Sequence, residues 1–190
     1  MRDPDFRLMD FLAADLRRYR IIILGQLGQV SWWQLLPSIF SPRFAAVLLC
    51  RLAYWFHCHR LGLLAKVLSL VNFTVFGIEV AVRCRIGKGL VLPHTQGTVI
   101  GAASIGEDAT IFQGVTLGAK ELDIDYRDNC RPTVGDGVLI GAGAKILGGV
   151  SIGHRVRIGA NAVVLESLPD GVLAAGVPAK IVSNGRNNPK

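Results

Sequence analysis

Between Val134 and Pro169 an aliphatic residue recurs at every sixth position, and glycine often follows it directly. A period of six differs both from the 3.6-residue period of an α-helix and from the two-residue alternation of a strand. It is typical of short extended segments joined by tight corners, where small residues let the backbone bend or approach a neighbour. A parallel β-helix has this construction. The recurring residues are Val134, Ile140, Ile146, Ile152, Ile158 and Val164.

The same period is present earlier in the chain, with one interruption beside His94. There the count slips by one residue between Leu92 and Val99 and then resumes. The sequence therefore predicts that the coil begins near Gly77. The predicted inward residues of this half are Val80, Ile86, Leu92, Val99, Ile105, Ile111 and Leu117.

A second gap separates Leu117 from Val134, where 17 residues stand in place of six. About eleven residues must therefore leave the coil as a loop, and that loop is rich in charge. Long loops on rigid scaffolds often carry function, and we interpret this one as functional. The predicted organisation is a β-helix over 77–182 with a protruding loop at 119–133, and then a polar tail over 183–190.

Residues 1–76 have a different pattern, which predicts a small α-helical N-terminal region. Partial helical spacing indicates helices over 1–20, 44–56 and 61–76. Residues 21–42 contain no charge but are interrupted by glycine, proline and polar residues. Three interpretations of this stretch remain open: packed helical structure or an oligomer contact, which we favour, peripheral contact with a membrane, or a membrane span.

The composition narrows the classes of partner. The formal net charge is +7, yet the basic residues are scattered and no nucleic-acid motif accompanies them, so we expect no nucleic-acid partner. A small polyanionic ligand, an acidic polymer and an anionic membrane all remain open. The four cysteines form no CxxC pair and no metal-ligand spacing, so we expect reduced thiols and no metal. Without the pattern of a signal peptide at its start, the chain is expected in the cytoplasm, with the inner face of the membrane as the finer alternative.

Glu79 and His94 are the candidate catalytic pair on spacing grounds. They stand 15 residues apart, and three repeats make a coil of 18, so both fall near the same corner of adjacent coils. A carboxylate that holds one imidazole nitrogen leaves the other as a general base, able to remove a proton from an alcohol. Spacing alone leaves open that His94 is a surface residue unrelated to Glu79.

Five segments together resemble the serine acetyltransferase branch of the hexapeptide-repeat acyltransferases. The resemblance covers 77–182 closely and extends loosely into 44–76. The segments are Ile-Gly-Lys-Gly at 86–89, Leu-Pro-His-Thr-Gln-Gly at 92–97, Gln-Gly-Val-Thr-Leu-Gly at 113–118, Ile-Gly-Ala-Gly-Ala-Lys-Ile-Leu-Gly at 140–148 and Ala-Ala-Gly-Val-Pro-Ala-Lys at 174–180.

The resemblance implies a left-handed β-helix and an enzyme that transfers an acetyl group directly from acetyl-CoA to a hydroxyl. It further implies a homotrimer, or a hexamer of paired trimers, with active sites in the clefts between chains. His94 matches the family's catalytic base, and Glu79 matches the acidic residue that supports it. The matched cofactor-site residues are Gly118 and Ala119 for the oxyanion, Ala142 and Ala160 along the pantetheine arm, and Lys180 and Arg157 at the CoA phosphates.

The acceptor pocket departs from the family pattern. Pro93 stands where the family has an aspartate for the substrate amine. Cys130-Arg131 replaces an Arg-His pair that holds the carboxylate, so Arg131 is the remaining candidate for that contact. Because a site loses much affinity when such partners go, we predict an O-acetyltransferase acting on a saccharide of a surface or exported polysaccharide. The alternatives are a true serine O-acetyltransferase of cysteine biosynthesis and a non-catalytic β-helix assembly module.

Overall fold

Helices precede the coil, as the sequence predicts. The computed structural model describes residues 6–27, 33 and 35–184. Stretch 21–42 lies partly outside these residues, but its described parts include the end of one helix and a short second helix. None of the helices in the described ranges combines the length and the apolar character needed to cross a bilayer. The helices are α1 (Leu8–Leu24), α2 (Leu35–Ile39), α3 (Pro42–Cys58) and α4 (Gly62–Phe76).

Short strands follow from Ile78 onward and are joined by tight corners. α4 ends at Gly77, which adopts the left-handed conformation with φ of 64° and donates its N–H to the carbonyl of Phe73. The strands are β1 (Ile78–Val80), β2 (Arg85–Ile86), β3 (Thr98–Ile100), β4 (Ser104–Ile105), β5 (Thr110–Ile111), β6 (Thr116–Gly118), β7 (Thr133–Val134), β8 (Leu139–Ile140), β9 (Lys145–Leu147), β10 (Ser151–Ile152), β11 (Arg157–Ile158), β12 (Val163–Val164), β13 (Val172–Ala175) and β14 (Lys180–Asn184).

These strands form the three faces of a parallel prism. The first face has the order β1-β3-β6-β9-β12, the second β2-β4-β7-β10, and the third β5-β8-β11-β13-β14. Neighbours pair in parallel, except that β14 runs antiparallel to β13. Since β6 ends at Gly118 and β7 begins at Thr133, the protruding loop occupies 119–132.

The aliphatic residues that recur every six positions form the core of the prism. All six aliphatic residues of the 134–164 stretch are buried, which confirms the predicted inward positions there. Adjacent coils approach closely at the corners: a Cβ added to Gly141 would lie 2.6 Å from the backbone nitrogen of Ala160. Glycine at this corner therefore allows the coils to stack.

One inward residue of the first half was predicted wrongly. Ile100, and not Val99, points into the core, where it pairs with Leu117, while Val99 lies on the outer row and pairs with Thr116. The cause is the length of two successive corners. Val91 pairs with Thr110, and Val99 pairs with Thr116. The first coil takes eight residues from Val91 to Val99, whereas the next coil takes only six from Thr110 to Thr116. The corner after β3 is one residue shorter than the corresponding corner after β9, because Val99 to Ser104 spans five residues and Lys145 to Ser151 six.

A buried ion pair joins the helical region to the first coil. The Arg51 guanidinium donates to both carboxylate oxygens of Asp15, at 2.7 and 3.0 Å. It also donates to the carbonyls of Ile86 and Gly87, while Asp15 accepts the backbone N–H of Leu90 at 2.8 Å. Asp15 of α1 and Arg51 of α3 therefore neutralise each other inside the junction, and their contacts with the coil backbone fix both helices on the coil.

Candidate active site

His94 lies on the long corner, the one with two extra residues. Its neighbours Pro93 and Thr95 are buried, whereas the imidazole is exposed. The Thr95 hydroxyl donates to the carbonyl of Phe76 at 2.7 Å, and the Gly97 N–H donates to the carbonyl of Gly77 at 2.9 Å. The corner is thus tied to the point where α4 meets β1, and it holds His94 outward on a fixed backbone.

Glu79 occupies the centre of β1, directly after that junction. Its side chain is exposed and begins the outer row of the first face, followed by Val99, Thr116 and Lys145 on successive coils. The structure therefore brings the Glu79 strand and the His94 corner to the same end of the prism. Within the described residues of this single chain, however, no hydrogen bond joins the two side chains. Their direct pairing stays a prediction.

Loop 119–132 is held onto the prism by a buried cluster around Asp123. Arg131 donates through Nε to the Asp123 carboxylate at 3.0 Å and through Nη1 to the Gly101 carbonyl at 2.9 Å. Arg127 also binds Asp123, through its side chain and its backbone N–H. Burial acts to raise the pKa of Asp123, but the hydrogen bonds from Arg127 and Arg131 outweigh it and hold this pKa below its ordinary value.

Tyr126 completes the attachment of the loop. Its ring lies under the Arg131 guanidinium, with 3.7 Å between the guanidinium carbon and the ring centroid. Its hydroxyl donates to the carbonyl of Ala102 at 2.7 Å. Gly101 and Ala102 belong to the shortened corner after β3, so this corner supplies the carbonyls that receive the loop. Burial is also the main cause that raises the pKa of Tyr126.

Beside this cluster the loop and the coil enclose a cavity of about 270 Å³. Ala119 and Gly148 line it, so the cavity opens next to the predicted oxyanion position. A Cβ on Gly118 would meet nothing within 4 Å, which leaves room along this strand end. The remaining lining residues are Lys120, Glu121, Leu122, Asp123, Arg127, Asn129, Cys130 and Gly149.

The predicted CoA-site residues are placed along the outside of the prism. Ala142 and Ala160 precede residues in the left-handed conformation, Gly143 and Asn161, at the same corner of successive coils. Arg157 is exposed in the third face, where it pairs with Leu139 and Leu173, and Lys180 opens β14 of the same face. These positions form a surface path, and their contact with CoA stays a prediction.

Sequence reasoning missed Asp123 and Tyr126, which appeared only as part of a charged loop. It also missed Gln113, whose side-chain oxygen is buried without a hydrogen-bond partner in the described part of the chain. Gln113 stacks between Gln96 and Ala142, because its carbonyl accepts the Gly143 N–H and Gly114 donates to Gln96. No group of three or more His, Cys, Asp or Glu residues within the described ranges is arranged to hold a metal ion.

Comparison with known proteins shows which family this chain is similar to. Residues 131–166 match the family model described as bacterial transferase hexapeptide, six repeats. The chain is 42% identical over 155 residues to serine acetyltransferase of Helicobacter pylori strain J99, a match that covers 81% of this chain and 88% of the relative.

Solved structures agree with the sequence match. The chain superposes on the serine acetyltransferase of Neisseria gonorrhoeae with a TM-score of 0.82 and 31% identity, over 96% of this chain and 67% of the other. It superposes on a serine acetyltransferase in complex with CoA with a TM-score of 0.78 and 33% identity, over 92% and 69% of the two chains. The predicted fold, a left-handed β-helix preceded by a helical region, is confirmed.

One prediction from the sequence is overturned. The saccharide acceptor is wrong, because the matched sequences and structures are serine acetyltransferases and not polysaccharide acetyltransferases. The departures at Pro93 and Arg131 therefore do not indicate a different acceptor. The predicted acyltransferase activity is confirmed. The chain belongs to the serine acetyltransferase family of the hexapeptide-repeat acyltransferases.

Proposed function

We propose that this protein is a serine O-acetyltransferase, which moves the acetyl group of acetyl-CoA to the hydroxyl of L-serine. The observation that carries the proposal is the match to a serine acetyltransferase over 81% of this chain and 88% of that relative's length. The superposition on a serine acetyltransferase bound to CoA supports acetyl-CoA as the acyl donor.

In this mechanism His94 is the general base. An exposed imidazole on a fixed corner can approach a substrate hydroxyl without moving the backbone. The free nitrogen takes the proton of the serine hydroxyl as its oxygen attacks the thioester carbonyl. When the carbon–sulfur bond breaks, the imidazolium returns that proton to the CoA sulfur. Glu79, on the neighbouring outer row, orients the imidazole and stabilises its charged form.

The oxyanion of the tetrahedral intermediate is assigned to the backbone N–H groups at Gly118 and Ala119. Both lie where β6 leaves the coil, next to the loop cavity. The absence of a Cβ at Gly118 lets the thioester come close to the backbone, since no atom of the described residues beyond its chain neighbours lies within 4 Å of the position a Cβ would take. From there the pantetheine arm passes Ala142 and Ala160 towards Arg157 and Lys180.

Recognition of the amino acid differs from the family pattern in two ways. Pro93 cannot accept a hydrogen bond from the substrate amine through its side chain, and it is buried. The side chain of Arg131 is only 12% exposed, and Asp123 and Gly101 already engage it. Arg131 must therefore share its charge between Asp123 and the serine carboxylate. We expect a lower affinity for L-serine than a site would have in which two side chains bind the substrate alone.

We also propose a homotrimer in the cytoplasm. His94 and Glu79 are both exposed on one chain, so a neighbouring copy could approach the site from outside. The described cysteines are free thiols, which supports a reducing compartment. Analytical ultracentrifugation of the purified protein should give a mass close to three times that of one chain. A mass equal to that of one chain would contradict the trimer.

The direct test is release of CoA thiol from acetyl-CoA by the purified full chain, with and without L-serine. We expect serine-dependent release that His94→Ala lowers by at least about 100-fold, and O-acetylserine as the product by mass spectrometry. Release that does not depend on serine, or that His94→Ala leaves unchanged, would overturn the proposal.

A further inference from the structure

The outward face of α4 is made almost entirely of apolar side chains. Leu63 is 78% exposed and Leu70 is 61% exposed, whereas Ala65 and Asn72 on the opposite side are buried. The helix carries a single charged residue, Lys66. A helix that is apolar on its outer as well as its inner face is normally covered by something. The other exposed apolar residues of this helix are Leu64, Val67, Val71, Phe73 and Val75.

The stretch of sequence that contains α4 carries charges of one sign. Residues 16–78 contain seven Lys or Arg residues and no Asp or Glu. The remaining 14 basic residues of the chain equal its 14 acidic residues, so the stretch 16–78 carries an excess charge equal to the whole net charge of +7. A surface that is both apolar and basic complements an anionic bilayer, which offers hydrocarbon beneath a layer of negative charge.

The basic side chains flank the α4 face at both ends. Arg60 and Lys66 are exposed at its amino-terminal end. At the other end α3 runs back alongside α4, where Asn72 donates to the carbonyl of Ala46, one turn from the exposed Arg43. Arg51 and Arg18 are used inside the molecule, by Asp15 and by coil carbonyls, and do not contribute.

We propose that the outward face of α4 docks the protein on an anionic lipid bilayer, with Leu63, Val67 and Leu70 entering the interface and Arg43, Arg60 and Lys66 contacting lipid phosphates. A second copy meeting the same face would bring these like charges together, which disfavours that occupant. In this arrangement α4 lies along the membrane surface. Exposed Trp33 and Phe40 in the same region add residues suited to an interface.

The test is co-sedimentation of the full chain with vesicles of phosphatidylcholine alone or with about one third phosphatidylglycerol. We expect binding to the anionic vesicles only, and a fall as salt is raised. The variant Val67→Gln/Leu70→Gln should reduce the partition coefficient at least tenfold. The control variant Ile181→Gln/Val182→Gln alters two comparably exposed apolar residues on β14 and should leave the partition coefficient unchanged. Lys66→Gln should weaken binding about fivefold.

Tryptophan fluorescence gives a second readout, since all three Trp residues lie in the helical region. We expect a blue shift on anionic vesicles and none on neutral ones. Absence of binding to anionic vesicles would overturn the proposal. So would binding that both double variants reduce equally. A change in sedimentation coefficient on Val67→Gln/Leu70→Gln, without vesicle binding by the parent, would instead assign the face to a contact between copies.

Discussion

The carboxylate of Asp123 and the guanidinium of Arg131 lie 3.0 Å apart, and the Asp123 side chain is only 3% exposed. This pair links two ends of a loop that a six-residue repeat does not accommodate. Through Gly101 it also ties the loop to the preceding coil. The loop is therefore a fixed wall of the candidate site.

Replacing Asp123 by Asn should disorganise this wall. The amide keeps the size of the carboxylate but removes the charge that holds Arg131 and Arg127. We expect the KM for L-serine to rise several-fold, with a smaller change in the KM for acetyl-CoA. Steady-state kinetics with each substrate varied in turn would measure this split. The matched control is Asp125→Asn, since Asp125 is exposed on the same loop; equal effects of both changes would contradict the assignment.

The same carboxylate predicts a pH dependence of stability. The pKa of Asp123 is lowered in the folded protein, against about 3.9 for an unfolded aspartate. Its stabilising contribution is thus fully present above that unfolded value and is lost as the pH falls through the folded one. The difference in Tm between wild type and Asp123→Asn should be largest near pH 7 and should shrink below about pH 4. Thermal melts over this range would show it; a constant difference would exclude the effect.

His94→Ala should lower kcat by about 10²–10⁴-fold, because a general base contributes that much. The folded structure should be unaffected, since the imidazole is exposed. The measurement is thiol release at saturating substrates, accompanied by circular dichroism. His154 is another exposed histidine, on a corner remote from β1, and His154→Ala should retain activity.

Replacement by alanine should have different effects at two glycines, lowering stability at one and substrate affinity at the other. At Gly141 a Cβ would lie 2.6 Å from a backbone nitrogen of the next coil, so Gly141→Ala should cost about 1–3 kcal/mol of stability. At Gly118 a Cβ would meet no atom of the described residues within 4 Å, so Gly118→Ala should fold normally but raise the KM for acetyl-CoA by filling space that the thioester needs. Urea unfolding and kinetics separate the two; an unaltered KM in a folded Gly118→Ala would argue against the oxyanion assignment.

Breaking the buried pair between Asp15 and Arg51 should be costly. Arg51→Met leaves the Asp15 charge inside the junction, and we expect a loss of about 3–5 kcal/mol in urea unfolding. Asp15→Leu combined with Arg51→Met should cost less than the two single changes added together, because no uncompensated charge remains. Exposed Arg17→Met on the same helix should change stability by less than about 0.5 kcal/mol.

The repetitive half of the fold was predictable because one aliphatic residue per segment must point inward. From Val134 to Val164 this rule leaves a single register. It failed at Val99, because the count assumes equal corners and the His94 corner has two extra residues followed by a corner with one fewer. A hydrophobic pattern of Thr-Val-Ile at 98–100 fits either register, and only the pairing with β6 selects Ile100.

The site was predictable only in part. His94 and Glu79 were placed at the same end of the prism by coil spacing, and the structure puts their strand and corner there. The sequence predicts Arg131 as a contact for the substrate carboxylate but does not reveal its ion pair with Asp123. Nothing in the spacing of these two residues shows that the loop folds back on itself. The predicted saccharide acceptor is wrong for a related reason: it rests on single residues at Pro93 and Arg131, whereas the match to serine acetyltransferase extends over 81% of the chain.

The antiparallel strand β14 has a consequence for how the molecule behaves at high concentration. A parallel β-helix has, at each end, a row of unpaired N–H and C=O groups on which another chain could continue the ladder. Here Lys180–Asn184 folds back over β13 and occupies that edge, with Lys180 at its start. At the opposite end Arg51 and Arg18 consume carbonyls of the first coil. Part of the open edge is therefore used within the chain at each end of the rod, by a reversed strand at one and by arginine side chains at the other, and this disfavours growth of filaments by end-to-end stacking.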